Sequence, residues 1–238
     1  MLVYGGIDEY GNILSDIYIL EFSPTLTWFK VDIKSKPSAL AHHCSALVLS
    51  AEKKNHPSFD IYRYPDLPQS RVSTSKIQVE GLYVFGGMDN ERKYRNDLKV
   101  LRLGKRPLDF VHLKTTGTPP SPRVNATLNF YEELHLLILF GGKNETHSKL
   151  FYNDLHVFDL ETCSWSKVTI FDKIPVERGE HSTVIYGNKM YIYGGINMDK
   201  YLGSEFYIIN LDIWEKKRKK YKSNQMDLNG NENSKFFK

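Results

Sequence analysis

Short apolar segments rich in β-branched and aromatic residues recur along the whole chain, separated by polar stretches. Each segment has the length and composition of a β-strand. Four of them end in a pair of glycines, which allows a sharp turn where a Cβ would clash with a neighbouring strand. The pairs are Gly5-Gly6, Gly86-Gly87, Gly141-Gly142 and Gly194-Gly195. This pattern predicts an all-β protein built from a repeated unit.

A second strand follows each glycine pair at nearly constant spacing. An acidic residue opens this strand, ten residues after the second glycine in three units and twelve in the third, at Asp16, Asp97, Asp154 and Glu205. A large aromatic residue then comes 22 or 23 residues after the second glycine, at Trp28, Phe110 and Trp165. The fourth unit departs from this spacing, because Trp214 comes after only 19 residues.

Another strand precedes each of the last three glycine pairs, and a proline introduces it. The third residue after Pro37, Pro120 and Pro175 is Leu40, Arg123 and Arg178 respectively. The sixth residue is His43, Ala126 and His181. Only the last copy therefore carries both the arginine and the histidine.

In this order of proline, arginine, histidine, strand, Gly-Gly, acidic strand and tryptophan, residues 1 to about 215 resemble the kelch repeat. The resemblance implies a kelch-type β-propeller whose four-stranded blades have strands a to d from the central channel outward. We expect the blades to stack radially, with the large aromatic residue of each unit filling the wedge between neighbouring blades. About four blades are visible, the first lacks its innermost strand a, and strand d of the fourth is uncertain. The positions that match the repeat signature include the eight glycines above together with Trp28, Trp165, Arg178 and His181.

The number of blades predicts an incomplete ring. Kelch rings have about five to seven blades and close by pairing strands from their two termini. Four incomplete blades leave sheet edges and apolar blade faces exposed. We therefore expect an arc that is a truncated sequence, a piece of a longer protein, or a unit completed by self-association.

Composition fits one globular body with a basic tail. The chain has 238 residues, of which 41% are hydrophobic and 13% aromatic, and its net charge is +4. Residues 215–238 contain eight Lys or Arg and three Asp or Glu, which leaves −1 for the rest of the chain. A balanced body argues against a nucleic-acid partner, and no apolar run approaches the roughly 20 residues of a membrane helix.

Two segments fall outside the repeat. Residues 216–238 are predicted to be a disordered tail, and their basic cluster Lys216–Lys220 is either a solvated terminus, a nuclear localisation signal or a patch for an acidic partner. An insertion at about 50–78 separates strands a and b of the second blade and is predicted to be an exposed loop. It contains the aromatic cluster Phe59–Pro65, for which packing or disorder is the favoured interpretation over docking.

A partner-binding face is predicted at one end of the blades. In kelch propellers the b–c and d–a loops share one face, and here the b–c loops are residues 7–15, 88–96, 143–153 and 196–204. They carry aromatic and arginine side chains of the types that dominate binding hot spots: Tyr10, Arg92, Tyr94, Arg95, His147, Phe151, Tyr152 and Tyr201. An aromatic residue just before the acidic one recurs at Tyr94, Tyr152 and Tyr201, which favours a structural role for those three. Arg92, Arg95 and His147 are not repeated and are the clearer contact candidates.

The sequence gives little support for a catalytic function. Two histidines and a cysteine at 42–44 suggest a kelch-type copper radical oxidase, and Arg178, Glu180 and His181 suggest a sugar mutarotase or hydrolase, but these residues lie in or beside repeat positions. We expect no metal, no cofactor and no catalytic residue. Cys44 and Cys163 form no disulfide framework, which favours a reducing cytoplasmic setting with the nucleus as the alternative.

The sequence thus predicts a non-enzymatic kelch-repeat scaffold or adaptor that binds another protein through its b–c and d–a loop face. Two alternatives stay open. The first is a regulatory or targeting part of a larger kelch protein of the phosphatase, ubiquitin-ligase adaptor or acyl-CoA-binding type. The second is a kelch-type sugar oxidase or mutarotase.

Overall fold

The structure, a computed structural model, describes residues 1–22, 25–35, 37–49, 79–103, 107–146, 150–169 and 174–212. The insertion at 50–78, His147, Trp214 and the tail at 216–238 lie outside these residues, and their assignments stay predictions. The described regular structure is β-strand apart from one short 3-10 turn, Glu132–Leu134. No helix in these ranges is long and apolar enough to span a membrane.

Four antiparallel sheets follow one another along the chain, and we call them blades 1 to 4. Blade 1 contains β1 (Leu2–Tyr4), β2 (Ile17–Glu21) and β3 (Thr27–Lys30). Blade 2 contains β4 (Cys44–Val48), β5 (Gly81–Phe85), β6 (Leu98–Arg102) and β7 (Asp109–His112). Blade 3 contains β9 (Thr127–Tyr131), β10 (Leu136–Phe140), β11 (Leu155–Asp159) and β12 (Ser164–Val168), with β8 (Thr116–Gly117) beside β12. Blade 4 contains β13 (Ser182–Tyr186), β14 (Lys189–Tyr193) and β15 (Phe206–Asn210).

This strand order confirms the predicted blade pattern. Blades 2 and 3 each show strands a, b, c and d paired in sequence. Blade 1 begins with its b strand, as expected, and blade 4 shows strands a, b and c within the described residues. The glycine pairs come directly after the b strands, and each acidic residue precedes the first residue of its c strand.

Neighbouring blades are also joined at their outer edges, which the sequence did not predict. Ile33, after blade 1, forms a parallel bridge with Leu108 beside the outer strand of blade 2. In the same way β8, in the connection from blade 2 to blade 3, pairs in parallel with β12 through Thr116 and Gly117. The segment that leaves one blade therefore covers the outer edge of the next, where unpaired backbone groups would otherwise be exposed.

The apolar core lies between blades, not within them. One cluster joins Tyr4 and Ile17 of blade 1 to Val84 and Leu101 of blade 2. A second joins blades 2 and 3, and a third joins blades 3 and 4. Each internal blade thus buries its two apolar faces against two different neighbours, as the wedge-like stacking of a propeller requires.

The large aromatic residues on the d strands fill the wedge between blades, as predicted, in blades 2 and 3 but not in blade 1. Trp165 is 2% exposed and packs on Phe85 of the preceding blade, with ring centroids 5.3 Å apart. Phe110 packs on Tyr4 in the same way, at 5.1 Å. Trp28 occupies the equivalent position on β3 but is 52% exposed. The expectation that Trp28 fills a wedge between blades is therefore wrong here, because within the described residues no blade precedes blade 1.

Replacing Trp165 with alanine tests the contribution of a blade junction. Removing a fully buried tryptophan leaves a cavity, and we expect the free energy of unfolding to fall by about 3–5 kcal/mol. Tyr10→Ala is the matched control, because Tyr10 is 82% exposed and its loss should change stability by about 0.5 kcal/mol or less. Urea denaturation followed by circular dichroism gives both values, and equal effects for the two variants would contradict the packing described.

Candidate partner-binding face

The glycine pairs fasten the b–c loops to the following blade. The second glycine of the first three pairs donates a backbone hydrogen bond to the carbonyl oxygen at the repeat-arginine position of the next blade, as in Gly87 to Arg123 (2.9 Å) and Gly142 to Arg178 (2.8 Å). The first glycine lies against the same carbonyl group. A Cβ on Gly141, which has a φ of +66°, would come within 2.7 Å of the Arg178 oxygen. Glycine is thus required both by the turn and by the approach of the next blade.

A capping residue that the sequence reasoning missed fixes each b–c loop from within. An Asp or Asn lies two residues after the second glycine in all four units, and its side-chain oxygen accepts hydrogen bonds from backbone N–H groups further along the loop. These residues are Asp8, Asp89, Asn144 and Asn197. Such Asx turns hold a loop in one conformation. The sequence contains this signal, because an Asp or Asn recurs two residues after the second glycine of each pair.

The repeat arginine of blade 3 is a buried structural residue. Nη1 of Arg123 donates to Oδ1 of Asp154 (2.6 Å) and to the carbonyl oxygen of Gly141 (2.9 Å). Its guanidinium lies over the ring of Tyr152, 4.2 Å from the centroid. Burial opposes ionisation of Asp154, but hydrogen bonds from His156 and Arg123 outweigh it and hold the pKa of this carboxyl well below its usual range.

Blade 4 repeats the arrangement with a glutamate. Arg178 is fully buried, and its Nη2 donates to Oε2 of Glu205 (2.8 Å) while Nη1 donates to the carbonyl oxygen of Gly194 (2.8 Å). The hydrogen bond from Arg178 lowers the pKa of Glu205. These contacts give the structural role that the repetition of Arg178 had predicted.

In blade 2 the acidic residue before the c strand is paired without a repeat arginine. Leu40 occupies the arginine position, and Asp97 instead pairs with Lys99 (Nζ to Oδ2, 2.9 Å) and Arg95 (Nε to Oδ1, 3.1 Å). Burial opposes ionisation of Asp97, but the hydrogen bonds and charges of these two cations lower its pKa overall. Arg95 therefore has a structural partner, although its side chain stays 44% exposed.

Further contacts connect one loop to the next. Arg92 has a φ of +61°, and its Nη2 donates to the carbonyl oxygen of Gly11 in the blade 1 loop (2.9 Å). Lys143 Nζ lies 3.6 Å from Oε1 of Glu180, and Nδ2 of Asn125 donates to the same oxygen (3.0 Å). These contacts connect the b–c loop of blade 1 to that of blade 2, and the b–c loop of blade 3 to the segment that enters blade 4. We call the surface formed by the four b–c loops the b–c face.

The repeated loop aromatics align differently from the sequence-based prediction. Tyr94, Phe151 and Tyr201 form equivalent bridges to the residue after the glycine pair, whereas Tyr152 takes the position of Arg95. Burial raises the pKa of Tyr94, and the nearby Glu145 adds to the shift. Phe151 and Tyr152 are 6% and 8% exposed. Both pack within the fold, which corrects their place among the contact candidates.

Within the described residues, the two most exposed large hydrophobic side chains on the b–c face are tyrosines. Tyr10 is 82% exposed and Tyr201 is 86% exposed, on the loops of blades 1 and 4. Arg92 and Arg95 lie on the loop of blade 2. The b–c face therefore carries an arginine pair and two exposed aromatic residues on loops that Asp and Asn side chains cap.

His181 and Cys44, two of the residues considered for catalysis, are built into the packing. Burial lowers the pKa of His181 to about 4, and its Nε2 lies 3.0 Å from Oγ1 of Thr127. Burial also raises the pKa of the Cys44 thiol to about 12, and Sγ donates to the carbonyl oxygen of Phe85 (3.5 Å). Within the described ranges, no group of three His, Cys, Asp or Glu side chains is arranged to hold a metal ion.

Comparison with known proteins gives a consistent result. A family model described as the KLHDC2/KLHL20/DRC7 Kelch-repeats domain matches residues 58–226. Acyl-CoA-binding domain-containing protein 5 of Arabidopsis thaliana is 30% identical over 82% of this chain and 34% of its own length. Kelch domain-containing protein 1 of Mus musculus is 32% identical over 63% of this chain and 42% of its own length. Host cell factor 2 of Homo sapiens is 31% identical over 82% of this chain and 23% of its own length. The chain spans less than half the length of these relatives.

Substitution of Asp154 tests the buried arginine. Asp154→Asn leaves Arg123 without its charged partner, and we expect a loss of about 3–5 kcal/mol in the free energy of unfolding at neutral pH. Because the carboxyl pKa is lowered in the folded state from its ordinary 3.8, this stabilisation is complete above that value and disappears as the pH falls below it. The difference between wild type and variant should therefore shrink under acid.

Asp16→Asn is the control for this experiment, because Asp16 has the same repeat position but pairs with the exposed Lys30 (3.2 Å). Its replacement should cost about 0–1 kcal/mol. Denaturant titrations between acid and neutral pH measure both variants. A difference between wild type and Asp154→Asn that stays constant throughout the acid range would contradict the ion pair.

Substitution of Asp89 tests the loop caps. Asp89→Ala removes the acceptor for the N–H groups of Glu91 and Lys93, both at 3.0 Å. A hydrogen bond of about 1 kcal/mol corresponds to roughly fivefold faster amide exchange at these positions. Asn90→Ala is the control, since Asn90 is exposed and has no hydrogen-bond partner among the residues described. Hydrogen exchange that is the same for both variants would show that Asp89 does not order the loop.

Proposed function

Because the chain belongs to the kelch-repeat family, we propose that it is a non-catalytic scaffold or adaptor module that holds a partner protein on its b–c face. The observation that carries the proposal is the set of four loops, each capped by an Asp or Asn side chain, of which the first three are joined to the next blade through their glycine pairs. A partner bound there would meet a surface that is already ordered. Little conformational entropy would then be lost on binding.

The contact residues we propose are the exposed members of the b–c face. Tyr10 and Tyr201 present large aromatic surfaces on the loops of blades 1 and 4, and Arg92 and Arg95 present guanidinium groups on the loop of blade 2. Tyrosine and arginine are the side chains most often found at binding hot spots. His147 is kept as a candidate from its place in the blade 3 loop, outside the described residues.

A second candidate is a regulatory or targeting role within a larger protein or assembly. It is favoured by relatives such as the acyl-CoA-binding domain-containing proteins, in which the matched region is about a third of the length. In that case the b–c face would hold a substrate or regulator of another domain. The contact residues proposed above would be the same.

A sugar oxidase or mutarotase is disfavoured by the chemistry of its candidate residues. Arg178 is fully buried with both terminal nitrogens occupied, and His181 is buried against Thr127 and Phe140. A general acid or base needs contact with substrate and a pKa near the working pH. Burial keeps both side chains from such contact, and it lowers the pKa of His181 to about 4.

A binding experiment with loop variants tests the proposal. The tagged full-length chain is used to capture partners from cell extract, and the partner is then produced and its affinity measured by calorimetry. Tyr10→Ala, Tyr201→Ala and Arg95→Ala should each weaken binding, and a hot spot of about 2 kcal/mol corresponds to roughly a 30-fold loss of affinity.

Tyr186→Ala is the matched control. Tyr186 is 80% exposed at the opposite end of blade 4, where strand a meets strand b. Its replacement should leave the affinity unchanged. Loss of binding with Tyr186→Ala, together with full affinity in the three loop variants, would place the binding site on the opposite face and overturn the proposal.

A further inference from the structure

The first and last blades each have one apolar face that the described residues leave uncovered. We call the uncovered side of blade 1 the N-terminal open face, which consists of Val3, Tyr18, Leu20, Trp28 and Lys30. The uncovered side of blade 4 is the C-terminal open face, which consists of Val184, Tyr191, Tyr193, Phe206 and Ile208. Trp28 is 52% exposed, and Tyr193 is 53% exposed. Apolar faces of this kind in a folded chain are typical of interaction sites.

The internal junctions show what covers such faces elsewhere in the molecule. At each of the first two, the aromatic residue on the d strand of one blade packs on the last b-strand residue of the blade before it. The pairs are Phe110 on Tyr4 (5.1 Å) and Trp165 on Phe85 (5.3 Å). The same contact thus recurs in one direction along the chain.

Each open face presents one of the two aromatic residues that form this contact. Trp28 occupies the position of Phe110 and Trp165, since it lies opposite Leu20 just as they lie opposite Leu101 and Phe158. Tyr193 occupies the position of Tyr4 and Phe85, as the last b-strand residue before a glycine pair. Each face therefore lacks the residue that the other face presents.

The backbone of the C-terminal open face also retains the geometry of a junction. A Cβ on Gly86 or Gly141 would come within 2.6 or 2.7 Å of the next blade, whereas at Gly194 the nearest atom is 3.9 Å away. Gly87 and Gly142 donate hydrogen bonds to the next blade, but the N–H of Gly195 has no acceptor among the described residues. This face is thus a complete junction surface without its neighbour.

We propose that a second copy of this chain docks head-to-tail on the first, with Trp28 of one copy packed on Tyr193 of the other. The contact continues the series of blade junctions across two molecules. Because blade 1 shows no a strand within the described residues, the intermolecular junction is made by its strands b, c and d. It joins two different faces, so it either closes a ring of copies or extends into a chain of them.

Two charge substitutions and their mixture test this arrangement. The full-length protein should show a mass that rises with concentration in sedimentation equilibrium. Trp28→Glu and Tyr193→Glu should each abolish association, because a carboxylate cannot be buried unpaired at an aromatic contact. An equimolar mixture of the two variants should form a species of twice the mass of one chain and nothing larger, since one intact face remains on each.

The mixture separates this proposal from other modes of self-association. If like faces paired with like, one variant would still dimerise alone and mixing would add no new species, which would overturn it. A wild-type protein that stays monomeric at every concentration would also overturn it, as would association that survives both substitutions. Tyr10→Glu is the control, because Tyr10 lies on the b–c face and its replacement should not change association.

Circular dichroism and thermal unfolding show whether each variant is folded. If a glutamate variant is unfolded, Trp28→Ala and Tyr193→Ala replace the pair. Both should fold, because the two side chains are half exposed, and both should weaken association at least tenfold. Wild-type affinity in these alanine variants would overturn the proposal.

Discussion

One backbone contact supports the rest of the molecule: the close approach of a glycine pair to the first turn of the following blade, which the first three pairs make. The second glycine donates a hydrogen bond to the carbonyl group at the repeat-arginine position, and the first leaves room for that carbonyl group. In blades 3 and 4 the buried arginine then donates to the carbonyl oxygen of the first glycine of its own blade and to the acidic residue of its own c strand. Stability therefore depends on contacts between blades, and a blade without a neighbour keeps an apolar face in solvent.

The same contact fixes the surface that we propose for binding. Each b–c loop leaves its blade at the glycine pair and is capped at once by an Asp or Asn side chain. Arg92 and Lys143 add contacts from loop to loop. The contacts that hold neighbouring blades together therefore also hold the b–c loops in place. The exposed tyrosine and arginine side chains need no additional structure to fix the loops that carry them.

Sequence reasoning reached the strands and their order because glycine spacing and apolar segments are local signals. It also assigned Arg123 and Arg178 a structural role, since a repeated residue meets the same surroundings each time. It failed at Trp28, because burial depends on whether a neighbouring blade is present and no local pattern records that. It also misaligned Tyr152 with Tyr94, because a loop two residues longer shifts the register, and it overlooked the caps at Asp8, Asp89, Asn144 and Asn197.

The parallel pairing at the outer edges bears on how such a chain is made. Ile33 and β8 belong to connections that leave one blade, yet they pair with the outer strand of the next. The connecting segment that pairs with each of these outer strands is therefore synthesised before the strand itself. During synthesis from the N-terminus, each new blade can pack on the blade already formed, and the connecting segment can then pair with its outer strand. The outer strands of blades 2 and 3 can thus be covered as each blade is made, which limits their exposure to aggregation.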